Sequence, residues 1–161
     1  MLAKIFLKKR RLAENISRRF LPWHEVKKIA LILPEETSLN KSAMDDLINS
    51  LEKFIDVFYV QNTAKIPQFS DWRCFTRTDF HWSGVPTRNV MHELGVRKYD
   101  LAMNAGESIH AASVSASIPA TFKCARTAIL GEADFIVNVS KQETTTGWIG
   151  HALSYLKMIR N

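Results

Sequence analysis

Asp100-Leu101-Ala102-Met103-Asn104 and Asp134-Phe135-Ile136-Val137-Asn138 follow one formula, a short apolar run opened by an aspartate and closed by an asparagine. A run that is apolar on both faces suits a strand covered by helices on both sides, which is the environment of a parallel sheet in an α/β domain. Working outward, Lys28-Ile29-Ala30-Leu31-Ile32-Leu33 reads as the first strand, stopped by Pro34. Thr37 or Ser38 can cap a helix with Met44, Leu47, Ile48, Leu51 and Phe54 at three-and-four spacing. Asp56 to Val60 is a second strand, Arg73 to Thr76 a third, Thr87 to Leu94 a short helix that Gly95 can close, and Tyr99 to Asn104 the fourth strand. Glu107 to Ile118 is then helical, Thr121 to Ala125 and Asp134 to Val139 are strands, and Thr144 to Thr146 offer caps for a last helix. Strands alternating with helices predict a three-layer α/β domain with a mostly parallel sheet of five or six strands.

The 161 residues, 46% of them hydrophobic, suffice for one core, placed over residues 23 to 161. The longest purely apolar stretch, Ile29 to Leu33, is far short of the roughly 20 residues that cross a bilayer. Cys74 and Cys124 both fall in apparent strands, as free buried thiols would, which fits a reducing cytoplasm.

The net charge of +6 is uneven. Residues 1 to 28 hold nine of the 22 basic groups and two of the 16 acidic ones, leaving 13 basic against 14 acidic groups in the rest. A near-neutral body argues against nucleic acid as partner. Leu2, Ile5, Phe6, Leu12, Ala13, Ile16 and Phe20 gather on one side of a helical wheel, so residues 1 to 22 are predicted as a basic amphipathic helix. Such a helix docks on the domain, joins a homodimer, or lies on an anionic membrane surface at the inner face. An Arg-rich, acid-poor start also has the composition of a transit peptide.

In an open α/β sheet, ligands bind beyond the carboxyl ends of the strands. That rule collects Glu35, Glu36, Thr37, Ser38, Asn62, Thr63, Gly106, His110, Ser140 and Lys141, and with them Arg77, Asp79, His81, Trp82, Asn104, Glu107 and Asn138, which form the candidate ligand-binding set. Asp79 and Glu107 are the candidates for acid and base, and Trp82 for a stacking platform. Asp79 can equally cap a turn that Phe80 and Trp82 anchor. The five histidines form no i, i+4 pair, and no spacing suggests a metal site or calls for a cofactor. Lys123, between Phe122 and Cys124, is expected to point to an exposed end or to serve a site.

The stretch Tyr99 to Asn104, the helix through Ser113 and Ser115, Ala120 to Cys124 and Asp134 to Asn138 resemble a small bacterial α/β family known only as a domain of unknown function. The basic start, the strand at Ile29 and the loop from Asp79 to Gly84 are similar too, so the likeness covers most of the chain. More faintly, the Tyr-Asp-apolar strand, the helix after it and the short basic strand resemble the N-terminal acceptor-side domain of lipopolysaccharide heptosyltransferases, which implies a Rossmann-like layer. Pro34-Glu35-Glu36-Thr37 stands where those enzymes have a Gly-Asp step. The leading expectation is a ligand- or partner-binding domain without catalysis. The alternative is an enzyme, or enzyme subunit, of sugar or nucleotide metabolism.

Overall fold

The computed structural model describes residues 19–159. The helix expected over 1 to 22 lies outside these up to Arg18, and residues 19–22 carry no helical structure. Six strands form one sheet: β1 (Lys28–Pro34), β2 (Phe54–Val60), β3 (Arg73–Phe75), β4 (Tyr99–Asn104), β5 (Ala120–Ala125) and β6 (Phe135–Ile136). Among the described residues four α-helices accompany them: α1 (Lys41–Ser50), α2 (Arg88–Gly95), α3 (Ile109–Ser117) and α4 (Thr145–Met158).

Every strand pairing is parallel, and the spatial order is β3-β2-β1-β4-β5-β6. This is the order of doubly wound nucleotide-binding sheets, with its reversal of direction between β1 and β4. The cause is visible in β1. Ile29, Leu31 and Leu33 pack with Met44 of α1 and Trp148, Ile149 and Leu153 of α4. Ala30 and Ile32 face the other way, toward Val90 and Leu94 of α2 and Ala111 and Val114 of α3. A strand whose two faces are both apolar can be satisfied only by helices above and below it.

Several local expectations shift. Asn40, not Thr37 or Ser38, caps α1, its Oδ1 accepting from Ala43 N at 3.1 Å. Phe54 opens β2 instead of closing α1, because Glu52 takes a left-handed φ of 51° that ends the helical run. Gly95 is the last residue of α2 and takes no left-handed conformation, so it is no C-cap of the glycine type. The stretch Asp134 to Val139 contributes only the two residues of β6, an edge strand whose Ile136 is 47% exposed. Asp134 does not begin the ladder by backbone alone, since its carboxylate accepts from Lys123 N at 2.7 Å.

Lys123 is neither at an exposed end nor in a crevice. It is 2% exposed, and its ammonium donates to the carbonyls of Ser115 at 2.8 Å and Ala116 at 3.4 Å in the last turn of α3. Ile118 N also donates to the Ser115 carbonyl, at 3.3 Å, and the last-turn carbonyls carry the negative end of the helix dipole, so a buried cation is stabilised there.

Candidate functional site

The reversal between β1 and β4 leaves their carboxyl ends flanked by loops from β2 and β5. Behind β1, the Glu35 carboxylate accepts from the backbone of Asn62 at 2.9 Å and of Thr63 at 3.1 Å, and from the Thr63 hydroxyl at 2.9 Å. That ties the loop after β2 to the end of β1. Across this point, His110 Nδ1 lies 3.1 Å from Asn62 Oδ1. Because β1 stands between β2 and β4, this bridge closes over the carboxyl end of β1.

His110 sits in the first turn of α3, which Ser108 caps by accepting from Ala111 N at 3.1 Å. Its ring packs on Phe80 at 4.5 Å between centroids. Burial, and next the Arg77 charge, push its pKa below the ordinary imidazole value, so the neutral form is favoured. Nδ1–H donating to Asn62 leaves Nε2 as an acceptor.

Asn104 ends β4 and is fully buried. Its Oδ1 accepts from Gly106 N at 2.9 Å, and its amide nitrogen faces the Glu132 carboxyl without a hydrogen bond of ordinary length. Burial pushes the pKa of Glu132 up, opposed by its backbone partners, Asn104 and Lys123. Gly106 must be glycine for close packing, since a Cβ there would lie 2.5 Å from that of Ala111. Next to it, the Arg126 guanidinium meets the exposed Glu107 carboxylate at 3.3 Å and donates to the Glu143 carbonyl at 2.6 Å.

The loop after β3 is differently employed. Asp79 Oδ2 accepts from Thr76 N at 2.8 Å, closing a 3₁₀ turn over Arg77–Asp79. Phe80 and Pro86 then pair, His81 N donates to Val85 O at 2.8 Å, and Gly84 N to His81 O at 2.9 Å. The result is a small hairpin with Gly84 at φ +83° and Trp82 at its tip, 93% exposed. Arg77 and His81 are exposed at its base.

The seven residues of the candidate set therefore share the carboxyl rim but not one surface. Asn104 lies beneath the rim, Glu107 beside Arg126, Trp82 and His81 on the projecting hairpin, and Asn138 exposed two residues beyond β6. The close group is Glu35, Asn62, Thr63 and His110, with Arg126 to one side. Arg126 escaped the sequence reading, although it directly follows β5 and the carboxyl-end rule reaches it.

The model of one protein family, described as a family of unknown function (DUF6913), matches residues 2–159. The chain belongs to this family. No curated protein matches the chain, and no solved structure does, so the likeness to heptosyltransferases gains no support. Among the described residues, no group of three or more His, Cys, Asp or Glu side chains is placed to hold a metal ion, and no helix is long and apolar enough to cross a membrane.

Proposed function

We propose that this domain binds a small polyhydroxylated molecule, a sugar or a ribose-bearing compound, over the carboxyl end of β1, without catalysing a reaction on it. The observation that supports this reading is the His110–Asn62 bridge across the point where the strand order reverses. Donors and acceptors alternate there, as hydroxyl groups require: the Asn62 amide, the imidazole Nε2, the Thr63 hydroxyl and the Glu35 carboxylate. The carboxylates proposed for chemistry have other partners, Asp79 the Thr76 backbone and Glu107 the Arg126 guanidinium.

The test is a set of amide chemical-shift titrations with glucose, ribose 5-phosphate, adenosine monophosphate and UDP-glucose. The expected result is a response of Asn62, Thr63 and His110 to at least one of them, with affinity reduced about tenfold in Asn62→Ala, as for one lost hydrogen bond of roughly 1.4 kcal/mol. A response confined to residues away from the β1 end overturns the reading.

A second reading, an enzyme of sugar or nucleotide metabolism, is favoured by one feature. His110 is held neutral with Nε2 as acceptor, as a general base needs. In that case His110, not Asp79 or Glu107, is the base. Breakdown of UDP-glucose by the full chain, absent in His110→Ala, would establish it.

A further inference from the structure

We infer that the opposite rim, where the strands begin, is a docking surface for an anionic lipid bilayer. All six strands are parallel, so the starts of β1, β2 and β4 lie together on one side. Lys28 stands in register with Phe54, and with Val96, Arg97 and Lys98 they line a single concavity of about 420 Å3. Phe54 is 54% exposed and Val96 68% exposed, so two apolar side chains project between cations.

The acids of this rim are turned to internal use. Asp100 Oδ2 accepts from the backbone of Lys27 at 2.8 Å and Lys28 at 2.9 Å. Asp56 Oδ2 accepts from Arg97 at 2.9 Å and from the Tyr99 hydroxyl at 2.5 Å. Glu25 and Glu52 are exposed acids nearby. Lys27, Lys28 and Lys98 are exposed and form no ion pair among the described residues.

Charge selects the occupant. Residues 1 to 18 carry Lys4, Lys8, Lys9, Arg10, Arg11 and Arg18 against Glu14, a net charge of the same sign as the exposed lysines of the rim. A second copy placed rim to rim would set lysines against lysines. An anionic headgroup layer attracts both the rim and the segment, and its acyl boundary accepts Phe54 and Val96. Nucleic acid would satisfy the cations but gives Val96 neither a stacking face nor a hydrogen bond. The candidate site then faces away from the membrane.

The experiment is cosedimentation of the full chain with vesicles of phosphatidylcholine alone or mixed equally with phosphatidylglycerol, beside retention on duplex DNA. Binding is expected on the phosphatidylglycerol vesicles and weakens with added salt. Each lysine near such a surface is worth roughly fivefold, so Lys28→Gln/Lys98→Gln should lower partitioning on the order of 25-fold. Phe54→Ser/Val96→Ser leaves the charge unchanged and should also lower it. The inference is overturned if the wild-type chain ignores these vesicles, if both double variants bind them like the wild type, or if the rim variants affect DNA retention alone. These positions are at the far end of the sheet from His110, so failure here leaves the ribose 5-phosphate titration unaffected.

Discussion

His110 is where the environment of a single side chain matters most to the proposed site. Its pKa is lowered first by burial against Phe80 and secondly by the Arg77 charge, so the folded chain binds this proton less readily than the unfolded one. The stabilising contribution is complete above the ordinary imidazole value of 6.5 and is lost as the pH falls through the lower folded value. An NMR titration should give His110 a pKa below 6.5, and Arg77→Ala should raise it only part of the way, because burial remains. A value at or above 6.5 in the wild type would contradict the packing described. The histidine and Asn62 were both visible in the sequence as rim residues; their pairing was not, since they stand 48 positions apart and only folding brings the two together. Lys123 teaches the same lesson in reverse. Sequence logic demands that a charge in an apolar strand find compensation, but nothing local reveals that the compensation is the end of a helix on the neighbouring layer.

At the scale of elements, two glycines separate packing from propensity. Gly106, between β4 and α3, would push a Cβ against that of Ala111, and the buried backbone there has little room to give. Gly106→Ala is expected to destabilise the chain by about 1–3 kcal/mol through overpacking. Gly150, exposed in α4, has nothing within 4 Å of the point where a Cβ would stand, so Gly150→Ala should stabilise by about 1 kcal/mol through helix propensity. Opposite signs in urea unfolding confirm both; a stabilising Gly106→Ala would refute the close approach. Element types were legible from periodicity, and the errors fall at ends. Asn40 displaced Thr37 and Ser38 as cap of α1, and β6 kept only Phe135 and Ile136, because an edge strand pairs on one side alone and its outer residues need not stay extended.

For the whole molecule, the parallel order separates the two proposed binding faces. The site group lies over the carboxyl ends, and the basic and apolar rim lies at the amino ends. The same order predicts a gradient of local stability. β1 and β4 are paired on both sides and covered by helices on both faces, whereas β3 and β6 are short edges. Hydrogen exchange should therefore be slowest at Leu31–Leu33 and Leu101–Met103 and fastest, among strand amides, at Arg73–Phe75 and Phe135–Ile136. Uniform protection across all six strands would contradict it.

By itself the sequence determined the α/β class, the parallel pairing and the helical cover, because strands apolar on both faces and helices apolar on one have few other ways to bury themselves. It also determined where charge collects along the chain. Only the tertiary structure decided the strand order, the pairing of Asn62 with His110, the burial of Asn104 and Lys123, and the projection of Trp82. Each of these depends on which distant segments become neighbours, and residue patterns of period two or 3.6 carry no record of that.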